Sequence, residues 1–245
     1  MTIYKLTQKT MAVLCAKIGV AAPWHNRKPW KRAERVVFIK PGEINEIQLD
    51  FLKELENIGA ANAATALAGM LNRPIDIRVP KAWLCSLEEM GTLLGDAEQI
   101  MTGSLVEMSG DITGAILFVQ PLEDSIVMSN MLIEMLGVEN NKNIPFPSDL
   151  QHSALMEIAN ILCCSYINAV ASLTNLSINC SVPGLVIDMA GALMNLPAVM
   201  YGASGDTILM LETVLVDFDK YVSGRFFLMP DIESQTLMMR KMGLL

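Results

Sequence analysis

Residues 50–80 read DFLKELENIGAANAATALAGMLNRPIDIRVP, and residues 153–183 read SALMEIANILCCSYINAVASLTNLSINCSVP. Laid side by side, they share a sparse polar skeleton. Asp50, Glu54, Asn57 and Pro80 in the first match Ser153, Glu157, Asn160 and Pro183 in the second, at identical intervals (D/S-x3-E-x2-N-x22-P). Glu, Asn and Pro each fill roughly one position in twenty of an average chain. One match is therefore weak, but two in the same register mark an internal repeat with selected polar positions.

The repeat predicts the architecture. Asn45-x-x-Gln48 and Ser148-x-x-Gln151 both resemble capping boxes. Each should open a helix running toward Asn72 or Asn175, about 40 Å long at ~1.5 Å per residue. Asn72-Arg73-Pro74 stops the first. Strands follow: Ile75, Ile77 and Val79 alternate with Asp76 and Arg78, as Ile178, Cys180 and Val182 alternate with Asn179 and Ser181. Pro80 and Pro183 are expected to close them, a structural role, because proline donates no ladder hydrogen bond.

Further strands are expected at 99–107 and 114–120, with a helix over 122–136 before Gly137. In the second half they are expected at 198–201, 207–216 and 224–229. A helix then runs from Asp231 to Arg240 and Lys241, cations suited to a last turn. The prediction is an α+β fold with pseudo-two-fold symmetry, each half a long helix, antiparallel strands and a closing helix. Residues 41–245 form one domain of two repeats, 41–140 and 141–245, joined through 139–147 (ENNKNIPFP). Pro41-Gly42 sets this body apart from residues 1–40, expected to be a disordered basic extension.

Charge divides the same way. Residues 1–40 hold nine of the eighteen Lys and Arg and a single acid, Glu34; the remaining nine face twenty-five acids in the body. An acidic body has no electrostatic footprint for nucleic acid. Apolar residues make up 52% of the chain, and residues 158–187 carry no charge, which raises the question of a membrane span. Asn160, Asn168, Asn175, Asn179 and Pro183 interrupt that stretch. No run of about 20 apolar residues survives, so it reads as core and no membrane span is expected. Five cysteines without metal-ligand spacing imply reduced thiols and a cytoplasmic protein. With only two histidines, neither a histidine metal site nor a Ser/His/Asp triad is expected, and the chain should carry no metal of its own.

Positions i, i+4 and i+7 share a helix face, so Asp50, Glu54 and Asn57 line up, as do Ser153, Glu157 and Asn160. A carboxylate and a carboxamide cannot act as base and nucleophile. An amide is neither acid nor base near neutrality, yet it donates and accepts hydrogen bonds at once. That suits holding a water in line with a reactive phosphorus. The Glu is left to pair with a cation on a partner. Such a site needs a substrate that brings its own metal and good leaving group, as a protein acyl phosphate does. Asp50 and Ser153 are expected to support or cap the site.

The paired motif, with LKELENIGAANAATALA and LMEIANILCCSYINAVA around it, resembles the CheC family of chemotaxis phosphatases, relatives of CheX and FliY. The resemblance spans about residues 41–245 and implies hydrolysis of phospho-CheY, a phosphorylated response regulator. It implies that Glu54 and Glu157 each contact a lysine of the regulator. Asn57 and Asn160 would then insert into its active site and orient the attacking water. It also implies that Mg2+ belongs to CheY, not to this chain. CheX resembles a dimer of single-motif chains, and FliY appends a C-terminal flagellar-switch domain. Two motifs and an ending at PDIESQTLMMRKMGLL are closer to CheC. The family further implies a second partner, the deamidase CheD. Asp188 and the uncharged run 189–200, with Met189, Gly191 and Met194, resemble the helix that docks on it. A non-catalytic flagellar-switch or CheD-binding adaptor of the same fold is the alternative, although FliM-like relatives lack the paired Glu and Asn.

Overall fold

The computed structural model describes residues 46–85, 95–137, 147–201, 208–217 and 220–241. The elements in chain order are α1 (Glu46–Leu71), β1 (Asp76–Cys85), β2 (Ile100–Gly110), β3 (Gly114–Pro121), α2 (Leu122–Met135) and α3 (Asp149–Thr174). They continue with β4 (Ile178–Cys180), β5 (Gly184–Met189), α4 (Ala190–Tyr201), β6 (Ile208–Asp217), β7 (Lys220–Pro230) and α5 (Ile232–Lys241). The class is α+β, as expected. The extension 1–40, the Asn45 cap and most of the 139–147 connection lie outside the described residues.

The two long helices are each 26 residues, about 39 Å at ~1.5 Å per residue. Their ends follow from local chemistry. Ser148 accepts from the Gln151 backbone N–H while the Gln151 side chain accepts from the Ser148 N–H, a complete capping box that starts α3. Asn72 and Asn175 stop α1 and α3 in the left-handed region, at φ 50° and 53°. Asparagine enters that region more readily than other side chains.

Among the described residues, the strands all pair antiparallel in one seven-stranded sheet ordered β1-β6-β7-β3-β2-β4, with β5 also on β2. The central strands are buried on both faces. On β2, the Thr102 and Ser125 hydroxyls bond at 2.9 Å, turning that face toward α2. The opposite face carries Gly103, where an added β-carbon would meet Leu193 of α4 at 3.0 Å. Val106, Ile116, Phe118, Phe226 and Leu228 build one core with the inward sides of α1, α2 and α3. Phe226 stacks on Phe118 and tilts against Tyr166 of α3, with ring centres 4.5 and 4.6 Å away. Helix α3 is long and apolar enough to cross a membrane by composition alone, but 61% of its most apolar window is buried inside the protein, which gives those apolar residues a place in the core.

Two expectations are corrected. Pro80 does not close β1. The strand runs on to Cys85 through a register shift between Arg78 and Lys81. Among the described residues it pairs only with β6, at the sheet edge, where an irregularity tolerates a residue without an N–H. Pro183, by contrast, lies past the end of β4 at Cys180, and a new strand, β5, opens at Gly184 on the same neighbour β2. Residues 198–201, expected as a strand, are the last turn of α4. Ala190, Leu193, Met194 and Leu196 of that helix are buried, and this packed face carries the helix through Pro197 despite the lost backbone bond.

Candidate functional site

The capping box sets the phase of α3. Ala154, Leu155, Ile158, Ala159 and Leu162 turn into the core, which leaves Ser153, Glu157 and Asn160 along the outer edge. Glu157 is exposed and Asn160 half-buried. A hollow of about 470 Å³ lies over this edge, lined by Ser153, Met156, Glu157 and Asn160 from α3 and by Cys180, Ser181, Val182 and Pro183 from the β4–β5 break. The interval from Asn160 to Pro183 thus has a mechanical meaning. It is the chain needed to finish α3, turn at Asn175 and bring β4 back against the Glu/Asn face.

The far wall is pinned to the sheet. The Ser181 hydroxyl accepts from the Glu107 N–H at 2.9 Å, and the Ser181 N–H donates to the Glu107 carbonyl at 2.9 Å. With its neighbour held, Val182 projects 77% exposed at the rim, whereas Pro183 is buried beneath. The Ser153 hydroxyl donates back to the Asp149 carbonyl at 3.0 Å, along its own helix.

Asn160 has a partner the sequence did not suggest. The Cys164 thiol, one turn on, donates to Asn160 Oδ1 at 3.4 Å. The amide hydrogens and the second Oδ1 lone pair stay available to a ligand. Cys164 also shares a hydrogen bond with the Cys180 thiol, which draws the Cys164 pKa down to about 7 and holds that of Cys180 up. Cys163, facing the core, is pushed up by burial. Cysteines on the helix and strand were visible as such, but only the returning chain brings them together.

In the first motif Glu54 and Asn57 are both exposed, while Leu55, Ala60, Ala63 and Leu67 are buried on the other side of α1. The side chains of Asp50 and Pro80 lie outside the described residues. Among the described residues no three His, Cys, Asp or Glu side chains converge as a metal site would require. In the 188–194 stretch, Asp188 Oδ1 accepts from the Met189 N–H at 2.8 Å. Met189 is exposed, the Gly191 N–H bonds the Ala97 carbonyl at 3.0 Å, and Met194 is buried. Met189 and Met194 therefore do not share an exposed face.

Known proteins resemble this chain at three levels. A profile described as the CheC-like family matches residues 47–83 and again 150–187, the segments that carry the two motifs. The CheY-P phosphatase CheC of Bacillus subtilis (strain 168) is 33% identical over 200 residues, covering 78% of this chain and 91% of that protein. Among solved structures, Thermotoga maritima FliY superposes with a TM-score of 0.62 at 18% identity, covering 82% of this chain and 98% of that one. FliM of H. pylori, solved in complex with SpeE, superposes at 0.59 with 13% identity, covering 82% and 96%. The structural likenesses establish a shared fold, and the sequence identity to a full-length relative establishes descent: the chain belongs to the CheC-like family.

Proposed function

We propose that this chain is a cytoplasmic chemotaxis phosphatase that hydrolyses the aspartyl phosphate of a CheY-like response regulator. One observation carries the reading: Glu157 and Asn160 line a single hollow walled by Ser181–Pro183, in a chain 33% identical to a CheY-P phosphatase. Glu157 pairs with a regulator lysine and fixes the approach. Asn160 donates and accepts through its amide, so a bound water keeps a lone pair aimed at phosphorus opposite the acyl oxygen. Water attacks, the phosphorus–carboxylate bond breaks, and free phosphate and the regulator's aspartate are released. Mg2+ rides on the regulator. Glu54 and Asn57 play the same parts on α1, and Asp50, Ser153, Pro80 and Pro183 support the two sites.

Two equal helices and the sheet order support reading 41–140 and 141–245 as pseudo-two-fold halves of one domain. Each half supplies one site. Residues 1–40 are assigned as the basic extension. CheD docking is assigned to Asp188, Met189 and Gly191, with the buried Met194 shaping the helix from beneath.

The test follows decay of phosphorylated CheY with and without the protein. Asn57→Ala and Asn160→Ala singly should each leave part of the acceleration, and together should return decay to the regulator's own rate. Full acceleration in the folded double variant rejects the mechanism. The fold shared with FliM favours a second reading, a non-catalytic switch or adaptor module. That reading predicts regulator binding with no acceleration by the wild-type chain.

A further inference from the structure

We propose that Cys164 and Cys180 form a modification site for peroxides, closing to a disulfide that releases the Asn160 amide and slows the second motif alone. The activity half of this inference rests on the phosphatase reading; the thiol half does not.

Three observations meet here. The Cys164 sulfur lies 3.4 Å from Asn160 Oδ1 and is that oxygen's donor. Asn160, which that thiol touches, and Cys180 line the same hollow, so the strand cysteine faces the helix edge that carries Cys164. Both are free and only half-buried, so a small oxidant reaches them, whereas neighbouring Cys163 is sealed in the core. The pair belongs to one motif only: the corresponding positions on the first are Ala61 and Ile77.

The chemistry divides between the two sulfurs. Cys164 ionises near pH 7 because Cys180 donates to it, making it the nucleophile. Its thiolate attacks one peroxide oxygen, the O–O bond breaks, and water leaves after protonation, giving a sulfenic acid. The Cys180 sulfur then attacks the sulfenyl sulfur. An S–S bond forms, the S–O bond breaks, and the departing hydroxide takes the Cys180 proton as a second water. Overall two thiols and one peroxide give one disulfide and two waters, a two-electron oxidation. Closing hydrogen-bonded sulfurs to ~2.05 Å draws on the break after Cys180, where Val182 and Pro183 lie between strands. The protonated Cys164 thiol is what donates to Asn160 Oδ1; the disulfide sulfur can never regain that proton, so Asn160 Oδ1 loses its donor at every pH and the wall moves toward the helix.

The experiment treats the full-length, reduced protein with hydrogen peroxide, then measures linked peptides by mass spectrometry and regulator-phosphate decay. A Cys164–Cys180 peptide that disappears with dithiothreitol is expected. In Asn57→Ala, where the second motif works alone, peroxide should slow the acceleration about fivefold, the size of one neutral hydrogen bond, and dithiothreitol should restore it. In Asn160→Ala the ratio of treated to untreated rates should stay near one. Cys180→Ser should form no linked peptide and lose the reversible response. Absence of the linked peptide in the wild-type chain overturns the proposal, as does equal peroxide sensitivity in Asn57→Ala and Asn160→Ala. If no reduced variant accelerates decay, the phosphatase reading fails and takes the switch with it, while the peptide map still decides the thiol chemistry.

Discussion

Gly59 of α1 lies directly against the ring of Tyr166 of α3, so close that a β-carbon at 59 would overlap Cδ1 and Cε1 of the tyrosine. Two helices that carry the candidate sites are thus held at a spacing set by a missing methyl group. Tyr166 is itself wedged against Phe226 and 2% exposed, with no room to retreat.

Gly59→Ala should therefore destabilise the fold by about 1–3 kcal/mol, the usual cost of overpacking a filled core, despite alanine's better helix propensity. Gly69→Ala is the control. It lies on the same helix with nothing within 4 Å of the added carbon, so propensity alone should stabilise by roughly 0.5–1 kcal/mol. Urea midpoints of the two variants should move in opposite directions; a shared direction would mean the ring gives way.

Glu54 and Glu157 are both exposed on their helices. If they dock the regulator, Glu54→Ala with Glu157→Ala should raise the half-saturating concentration of phosphorylated regulator about tenfold, with turnover at saturation kept. That is the pattern for a lost binding contact worth one to two kcal/mol. The double asparagine variant should show the converse, loss of turnover with binding retained. A kinetic titration separates them, and a fall in saturated turnover for the glutamate pair would place those carboxylates in the chemical step.

Much of this was legible before any coordinates. Ser148, Gln151, Asn72 and Asn175 announced where the long helices start and stop because capping depends only on neighbouring residues. The faces of Glu157 and Asn160 followed from helix periodicity. Pro80 misled because its tolerance depends on β1 being an edge strand, which is decided by β6, far along the chain. The strand expected at 198–201 failed because Leu193, Met194 and Leu196 carry the helix by tertiary burial, not by local preference. The wall of the hollow was hidden for a related reason. Ser181 and Val182 acquire their roles only when Glu107 pins the chain break to β2.

Val182 tests that wall. A valine 77% exposed at the rim contributes little to the core, so Val182→Asp should shift stability by no more than about 0.5 kcal/mol. If the regulator seats on this rim, the same change should weaken its binding to the Asn57→Ala protein about tenfold or more, by placing an unpaired carboxylate in an apolar contact. Unchanged affinity would move the docking surface to the Glu157 side of the hollow.

The thiol pair offers a reading of site geometry that needs no regulator. Cys164 is drawn to about pKa 7 first by the hydrogen bond from Cys180, against the opposing effect of its partial burial. Removing that donor with Cys180→Ala should let the pKa climb toward the ordinary thiol range near 8.5. Because the thiolate is the reactive form, iodoacetamide labelling of Cys164 should rise through pH 7 in the wild-type chain. In Cys180→Ala it should rise more than one pH unit later. Cys163, buried and pushed upward, should stay unlabelled across that range and serve as an internal reference. A Cys164 profile that does not move in Cys180→Ala would show that the two sulfurs are not bonded in solution.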